Sequence, residues 1–384
     1  MESIDRVLHQ AVDSGQVPGV VAMAVQGDRV LYSSAFGRRS LAEDAPMTLD
    51  TIFRVASMTK AVTATAAMQL VEQGRLSLDE PAGKVLEELR EPMVLDGFDD
   101  AGQPRLRPAR RPVTLRHLLT HTAGFGYDIW NSDIARYAKL TSLPAARTGL
   151  LASLRAPLTF DPGTRWQYGI NLDWAGRMVE AVSGMDLESY FQARIFGPLG
   201  MEDTSYEVRP HMLRRLATVH ARKPTGLEPV TMEVNPPREF FSGGGGLHST
   251  AADYLRLLRM LMSGGTFDGV PILQPETVRL MAENHIGELL VEPMQSCQPA
   301  SSNHVELFPG MPKKWGLSFL INTEAGPAGR SAGSLCWAGL YNSYYWMDPS
   351  ARVAGVIMTQ ILPFGDSAVL GLLDALEQGV YSRR

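Results

Sequence analysis

The pattern of apolar and polar positions predicts strands at the two ends of the chain and helices between them. Residues 19–26 and 29–36 are rich in β-branched and aromatic side chains, and the Gly27-Asp28 dipeptide that joins them predicts a tight hairpin. In the middle of the chain, apolar residues recur at the three- and four-residue spacing of an amphipathic helix. The predicted central helices are residues 115–121, 132–140, 173–184 and 187–195.

Further elements are predicted towards both termini. Helices are expected near residues 3–15, 61–73 and 366–378, and strands near residues 315–321, 343–347 and 353–360. A second hairpin is expected over residues 94–106, with its turn at residues 99–102. The run Gly243–Gly246 predicts a tight turn before another helix, for which Ser249 is the expected N-cap.

This distribution of elements indicates how the chain is divided into domains. We expect an α/β domain that is assembled from both termini, residues 1–75 and 245–384, with approximate boundaries. A mainly helical domain, residues 76–244, would be inserted into it. An antiparallel sheet flanked by helices, with a cleft where the two domains meet, is the architecture that follows.

Composition narrows the function classes. The chain has 384 residues, of which 45% are hydrophobic and 20% are charged, as in an ordinary globular enzyme. Its formal net charge of −5 indicates no surface for nucleic acid or an anionic membrane, and no run of about 18 apolar residues is present to cross a bilayer.

The N-terminal residues lack the features of a secretory signal, so we expect a cytoplasmic protein. We expect Cys297 and Cys336 to be unpaired, reduced thiols.

The tetrapeptide Ser57-Met58-Thr59-Lys60 is the strongest candidate for catalysis. It precedes an Ala-rich segment that predicts a helix ending near Gly74, so Ser57 and Lys60 would share one face of the first turn. A serine hydroxyl becomes a nucleophile when an adjacent base takes its proton, and a buried lysine can be that base. The helix N-terminus also directs backbone N–H groups towards an oxyanion. Because a motif of two specified residues arises readily by chance, further residues are needed to support it.

Two later segments supply such residues. Tyr168 follows a Pro-Gly turn and precedes a predicted helix, where its hydroxyl would be either a proton shuttle or an ordinary core hydroxyl. The segment from Cys336 to Tyr341 lies just ahead of an apolar strand. Gly339 would let a ligand approach the backbone closely, and the N–H that follows it would be a second oxyanion donor.

Together these segments resemble the serine β-lactamase and penicillin-binding-protein superfamily, and within it the family VIII carboxylesterases, which are similar to class C β-lactamases. The resemblance rests on "TIFRVASMTKAVTA", "FDPGTRWQYGINLDWAGRMVE", "SGGGGLHSTAADYLRLLRML" and "WAGLYNSYYWMDP", and it runs in order through nearly the whole chain. It implies a β-lactamase-like fold with the active site in the cleft between the two domains. It implies no metal and no organic cofactor.

The resemblance also implies roles for individual residues. Ser57 would be the nucleophile and Lys60 its general base, while Tyr168 would relay the proton to the leaving group and activate the deacylating water. The backbone N–H groups of Ser57 and Leu340 would form the oxyanion hole. The residues that would line the substrate pocket are Tyr127, Trp337 and Gly339.

One departure from the family pattern bears on the substrate. β-Lactamases and peptidases of the superfamily carry Lys-Thr-Gly or His-Thr-Gly where this chain has Trp337-Ala338-Gly339, and that cationic side chain helps to hold a substrate carboxylate. A neutral indole cannot do so, which favours an apolar acyl or alcohol group. Asn171 lies three residues after Tyr168, not two as in a Tyr-x-Asn motif, and receives no role.

Two other motif matches have simpler interpretations. Ser331 lies in a Gly-x-Ser-x-Gly sequence like that of the α/β-hydrolases, but the last histidine is His304, so no base follows it and a loop serine is expected. His117 and His121 have the i, i+4 spacing of a metal pair. They lack a clear third ligand, so structural histidines are expected.

The sequence thus predicts a serine carboxylesterase that cleaves small-molecule, short-chain esters through an acyl-enzyme on Ser57. Three alternatives stay open: a β-lactamase, D-amino-acid peptidase or amidase; an acyltransferase in which an alcohol or amine replaces water; and a catalytically silent binding protein. Trp337 argues against the first, and the joint presence of Ser57, Lys60 and Tyr168 argues against the third. Nothing in the sequence separates the second from hydrolysis, and slow opening of a β-lactam ring is compatible with the same acylation residues.

Overall fold

A computed structural model describes residues 2–382. Within them, the α-helices are α1 (Glu2–Asp13), α2 (Thr59–Glu72), α3 (Leu115–Leu119), α4 (Ser132–Thr141), α5 (Asn171–Ser183), α6 (Leu187–Phe191), α7 (Gly197–Leu199), α8 (Pro210–Leu213), α9 (Ala251–Met262), α10 (Pro275–Ala282) and α11 (Ser367–Tyr381). A π-helical turn, Gln192–Phe196, connects α6 to α7. The predicted helix over residues 187–195 therefore exists but changes its hydrogen-bond pattern near its end.

The strands lie mainly at the two ends of the chain. They are β1 (Gly19–Gln26), β2 (Arg29–Ser40), β3 (Ala45–Pro46), β4 (Phe53–Arg54), β5 (Met93–Phe98), β6 (Pro104–Pro108), β7 (Val219–Lys223), β8 (Gly226–Val230), β9 (His248–Ser249), β10 (Thr266–Phe267), β11 (Val270–Pro271), β12 (Lys313–Trp315), β13 (Leu320–Asn322), β14 (Leu335–Gly339), β15 (Ser343–Asp348), β16 (Val353–Met358) and β17 (Ile361–Leu362). Both predicted hairpins, β1–β2 and β5–β6, are present.

The large sheet joins the two ends of the chain. Its order within the described residues is β12-β13-β14-β15-β16-β1-β2-β3, and every neighbouring pair is antiparallel. The junction between the two ends is the β1–β16 pair, in which Ala22 lies opposite Ile357. All eight strands fall within residues 19–46 and 313–358. The domain boundaries near residues 75 and 245 stay a prediction.

Helices cover both faces of this sheet. Successive side chains of a strand point to opposite faces, and Tyr345 and Trp346 are buried neighbours on β15. The ring of Tyr345 lies 5.2 Å from the ring of Tyr254 on α9, between centroids. Trp346 Nε1 instead donates to the hydroxyl of Tyr381 on α11, at 3.2 Å. Since α9 and α11 thus lie on opposite faces, the predicted antiparallel sheet flanked by helices is confirmed.

Helix α2 occupies the centre of the molecule. Residues 59–70 of this helix are all buried, which is typical of a helix that is packed on every side. It contacts α5 and α6, and the turn that leads into it contacts β14. Consequently, the start of α2 lies where the sheet meets the helices of the middle segment, and the candidate nucleophile lies there.

One predicted strand is wrong in detail, and one observed strand was not predicted. Residues 315–321 do not form one strand but contain the end of β12 and the start of β13. A tight turn separates them, in which Gly316 N–H donates to Phe319 O and Ser318 has φ +80°. The segment around Trp337 does precede a strand, β15, as predicted, but it also contains a strand that was not predicted, β14, which ends at Gly339. In both cases the apolar run was visible in the sequence, but the turn that interrupts or follows it was not.

The N-cap of α9 also differs from the prediction. Thr250, rather than Ser249, caps this helix, because its side chain accepts a hydrogen bond from Asp253 N–H at 3.1 Å. The hydroxyl of Ser249 is paired with that of Thr204 at 2.8 Å and is buried. Over residues 2–382, no helix is both long and apolar enough to cross a membrane.

Candidate active site

Ser57 and Lys60 meet at the start of α2. Ser57 lies in a 3₁₀ turn, Ala56–Met58, and α2 begins two residues after it, at Thr59. Ala56 has φ +44°, an uncommon conformation for a residue with a side chain, and Ser57 is partly exposed. Lys60 is fully buried, and its Nζ donates to Ser57 Oγ at 3.1 Å. The structure therefore brings the hydroxyl and the amine together through the i, i+3 spacing of the motif.

The Lys60 amine has two further partners that the sequence did not assign to it. Nζ donates to Tyr127 Oη at 3.1 Å and to the carbonyl oxygen of Gly244 at 2.7 Å. An ammonium group has three N–H donors, so these two oxygens and Ser57 Oγ use all of them. When Lys60 is a neutral amine, one of its N–H groups still donates to the Gly244 carbonyl, because a carbonyl oxygen can only accept a hydrogen bond. The nitrogen lone pair is then free to face Ser57 Oγ.

Tyr168 lies beside this group in an aromatic cluster. Its ring centre is 4.7 Å from Lys60 Nζ, and it also contacts the rings of Tyr127, Trp130 and Trp337. Its hydroxyl accepts a hydrogen bond from Trp337 Nε1 at 3.0 Å. In the described part of the chain, no hydrogen bond joins Tyr168 Oη to Ser57 or Lys60. Tyr168 is thus close to the reacting atoms, and its role as proton relay stays a prediction.

The end of β14 lies against the turn that holds Ser57. A Cβ at Gly339 would lie 2.4 Å from the carbonyl oxygen of Val55 and 3.6 Å from Met58 Cγ, so no larger residue fits there. Leu340 follows directly and is partly exposed. This placement brings the Ser57 and Leu340 backbones to the same edge of the cleft, as an oxyanion hole requires, and that role stays a prediction.

The groups around Lys60 are shifted towards their neutral forms. Burial lowers the pKa of His121 well below its usual value, and the positive charge of Lys60 adds to this effect. Burial raises the pKa of Tyr127 well above its usual value, and the carboxylate of Asp173 contributes. Burial also raises the pKa of Asp173, while Lys60 opposes that shift. The site is therefore a dry region in which Lys60 and Asp173 act on each other.

The other sequence candidates have structural contacts of their own, although His121 lies beside Tyr168, with 4.8 Å between the ring centres. His121 Nδ1 pairs with the side-chain amide of Asn171 at 2.9 Å, and His117 belongs to the capping box of α3 with Thr114. The two histidines therefore have separate structural partners. Ser331 lies in the β13–β14 connection, where its N–H donates to Asp348 Oδ2 at 2.8 Å, and not between a strand and a helix. Cys297 is exposed, Cys336 is buried, and both are free thiols.

Sequence reasoning missed a polar chain behind Lys60. Asp173 Oδ1 accepts from Ser242 Oγ at 2.5 Å and from Gly244 N–H at 3.1 Å. Thr63 Oγ1 donates to the Gly243 carbonyl at 2.7 Å. The glycine run was the available signal, because four consecutive glycines mark a backbone that must approach its neighbours closely. Its interpretation as a turn overlooked the carbonyl that it presents to Lys60.

Comparison with known proteins identifies the class to which this fold and site belong. The family model "Beta-lactamase" matches residues 4–378, so the chain belongs to the beta-lactamase family, and the predicted superfamily is confirmed. The solved structure of simvastatin synthase (LovD) from Aspergillus terreus is similar over 99% of this chain and 97% of that chain. Its TM-score is 0.87, at 35% sequence identity.

Curated relatives include both transferases and an esterase. The chain is 35% identical to monacolin J acid methylbutanoyltransferase from Aspergillus terreus, over 99% of this chain and 95% of the relative. It is 32% identical to lovastatin esterase from Penicillium rubens, over 99% of this chain and 98% of the relative. These two relatives are thus named for the transfer of an acyl group and for the cleavage of an ester, respectively.

Proposed function

We propose that this protein is a serine carboxylesterase that works through an acyl-enzyme on Ser57. The observation that carries the proposal is the contact between a partly exposed serine hydroxyl and a fully buried lysine amine, 3.1 Å apart at the start of α2. A serine that is activated in this way attacks carbonyl carbon. The similarity to a lovastatin esterase supports the same reaction class.

The proposed reaction has two half-reactions. Ser57 Oγ bonds to the ester carbonyl carbon while its proton passes to Lys60 Nζ, and the carbonyl oxygen becomes an oxyanion facing the N–H groups of Ser57 and Leu340. The carbon–oxygen bond to the alcohol then breaks, and Tyr168 gives its hydroxyl proton to the departing oxygen while it takes up the proton held by Lys60. Water attacks the acyl-enzyme by the reverse sequence, which releases the acid and returns the proton to Ser57.

Aromatic side chains define the proposed substrate class. Tyr127, Trp130, Tyr168 and Trp337 form one contiguous cluster beside Lys60. The Trp337 indole N–H is already bonded to Tyr168 and carries no charge to hold a substrate carboxylate. We therefore expect small apolar esters to react faster than penicillins or peptides with a free carboxylate at this position.

Acyl transfer to an alcohol is the second candidate function. The observation that favours it is the 35% identity to a methylbutanoyltransferase over nearly the whole of both chains. The first half-reaction would be the same for both functions. The difference would lie in the second, where an alcohol instead of water attacks the acyl-enzyme.

Hydrolysis of p-nitrophenyl butyrate by the wild type, Ser57→Ala and Ser331→Ala tests the proposal. We expect Ser57→Ala to lose nearly all activity and Ser331→Ala to retain it, because Ser331 lies in a connection between strands. A fluorophosphonate probe should label the wild type and Ser331→Ala but not Ser57→Ala. Loss of activity in Ser331→Ala alone would contradict the assignment of the nucleophile, and an inert wild type would contradict the esterase function.

The two candidate functions are separated by adding an alcohol to the same assay. For an esterase, butyric acid should account for nearly all of the released nitrophenol. For a transferase, added alcohol should speed nitrophenol release, and the butyrate ester of that alcohol should accumulate in place of the acid. The ratio of ester to acid, measured by chromatography, decides between them.

A further inference from the structure

Within residues 2–382, the hydrogen-bond partners of the buried Lys60 amine are all uncharged oxygens. These are the hydroxyls of Ser57 and Tyr127 and the carbonyl of Gly244. Moving a cation out of water is costly unless an opposite charge lies nearby. When Lys60 takes the proton of Ser57, the enzyme must therefore stabilise a positive charge in a region that excludes water.

Asp173 is the buried carboxylate that acts on this charge. It lies in the first turn of α5 with 2% of its surface exposed, and it interacts electrostatically with Lys60. Its Oδ1 accepts hydrogen bonds from Ser242 Oγ and Gly244 N–H. Its Oδ2 is buried and has no hydrogen-bond partner within residues 2–382. A buried carboxylate oxygen without a donor is expensive to keep, which indicates a purpose beyond holding the backbone.

One residue connects the two charged groups. The N–H of Gly244 donates to Asp173, and the carbonyl of the same residue accepts from Lys60. Thr63 holds the preceding carbonyl, that of Gly243. A Cβ at Gly244 would lie 2.6 Å from Asp173 Oδ2 and 2.8 Å from Tyr127 Oη, so the backbone fits tightly between the two side chains. The position of the carboxylate therefore determines where the carbonyl meets Lys60.

We propose that Asp173 is a positioning residue for Lys60. Through Gly244 it fixes the carbonyl that orients the amine, and its negative charge favours the protonated form of Lys60 that is present between the two proton transfers. This inference rests on the proposed function of Lys60 as the base of Ser57.

Other titratable groups surround this pair. Tyr127, Tyr168 and His121 face Lys60, and Tyr206 faces Asp173. Burial raises the pKa of Tyr127 and of Tyr206 well above the usual value and lowers the pKa of His121 well below it. These three groups thus stay uncharged around neutral pH. The remaining candidate for an anion is Asp173, where burial raises the pKa of the carboxyl while Lys60 and the hydrogen bonds from Ser242 and Gly244 oppose that shift.

The test is the pH profile of kcat/KM for p-nitrophenyl butyrate in the full chain carrying Asp173→Asn. The amide keeps an oxygen for Gly244 and Ser242 but removes the charge. We expect the acid limb of the profile to move to lower pH by about one unit or more, because the protonated amine loses its anionic neighbour. The pH dependence of fluorophosphonate labelling should move in the same direction.

Ser242→Ala is the matched control. It removes a hydrogen bond to the same carboxylate oxygen and leaves its charge in place. Its acid limb should stay at the wild-type position. An acid limb that is unchanged in Asp173→Asn, or that moves equally in both variants, would overturn the proposal. An inert wild type would instead overturn the proposed function.

A second measurement covers the case in which Asp173→Asn does not fold. The same substitution is then made together with Lys60→Met, which removes the cation. Recovery of a cooperative thermal transition in the double variant supports the pairing of Asp173 with Lys60. If the double variant also fails to fold while Lys60→Met alone folds, Asp173 has a structural role only, and the proposal is wrong.

Discussion

Trp337 was predicted to line the substrate pocket, and the structure gives its indole a more specific contact. The side chain is 4% exposed, and its Nε1 lies 3.0 Å from Tyr168 Oη. The rings of Trp337 and Tyr168 are 4.9 Å apart in an edge-to-face arrangement. Because an indole N–H can only donate, the Tyr168 oxygen must be the acceptor in this hydrogen bond. The same hydrogen bond becomes stronger when the Tyr168 oxygen carries negative charge.

Trp337→Phe tests this contact. The variant keeps an aromatic ring but removes the N–H, so we expect kcat/KM for p-nitrophenyl butyrate to fall roughly 10- to 100-fold, the loss of one hydrogen bond to a group that becomes charged. Trp130→Phe is the control, because Trp130 lies in the same cluster but its N–H is bonded to Ser302. Equal losses in both variants would show that ring packing, and not the hydrogen bond, matters.

At the scale of single residues, the sequence could predict contacts within one helical turn but not contacts between distant segments of the chain. The Ser57–Lys60 pair follows from i, i+3 spacing, which is a local property. The contact of Tyr127 with Lys60 joins residues 67 positions apart, and that of Gly244 with Lys60 joins residues 184 positions apart. Such contacts depend on how the α3–α4 and β8–β9 connections, which carry Tyr127 and Gly244, lie against α2, and no local pattern contains this information.

The Gly243–Gly246 segment is the element whose importance the sequence least conveyed. Its first two residues pass close to α2 and α5, where a Cβ at Gly243 would lie 2.2 Å from the carbonyl oxygen of Leu172. At Gly245, by contrast, the nearest atom, Ser242 Oγ, would lie 3.8 Å away. The four glycines therefore differ in what they require, although they are identical in sequence.

Gly244→Ala and Gly245→Ala form a matched pair that tests this difference. The alanine at 244 would push on Asp173 and Tyr127 and displace the carbonyl from Lys60, so we expect kcat/KM to fall on the order of 100-fold, as for a small misplacement of a catalytic group. Gly245→Ala should stay within about threefold of the wild type. Steady-state kinetics and a thermal melt of each variant provide the measurement. Similar losses at both positions would contradict the geometric argument.

Local sequence patterns do not contain contacts between distant segments, and this also explains the errors in the predicted elements. Strands and helices that carry long apolar patterns, such as β1 and α11, were predicted nearly to their ends, whereas β2 continues to Ser40, beyond its predicted end at residue 36. The other errors fell at short connections, where a single residue decides the outcome. Ser318 breaks the apolar run between β12 and β13, and Thr250 caps α9 because Ser249 is already paired with Thr204.

Across the whole molecule, one continuous cluster of buried apolar side chains links the two ends of the chain to its middle. It includes Ile4 of α1, Val356 of the sheet, Met68 of α2 and Val179 of α5. Strand patterns predicted that both termini contribute to one sheet. They could not predict that β16 lies beside β1, since strand pairing between distant segments leaves no local signal. The shared core connects the parts of the chain that carry the candidate catalytic groups.

Buried histidines add a pH dependence to the stability of this core. His248 lies in β9, and its Nε2 is 2.7 Å from a guanidinium nitrogen of Arg54. Burial, together with the charge of Arg54, lowers the pKa of His248 from 6.5 to about 3. Between these two pH values the unfolded chain binds a proton that the folded chain does not. The free energy of unfolding therefore falls as the pH is lowered through this range, by about 1.4 kcal/mol per pH unit for one proton.

His248→Gln should remove this contribution, since glutamine can accept from Arg54 but cannot take up a proton. As the pH falls from 6 to 4.5, the free energy of unfolding of the variant should decrease by about 1.4 kcal/mol less per pH unit than that of the wild type. Urea unfolding at each pH measures this difference. Contributions from the other histidines cancel in this difference. If the free energy of unfolding changes equally with pH in His248→Gln and in the wild type, His248 takes up its proton in the folded state as readily as in the unfolded chain.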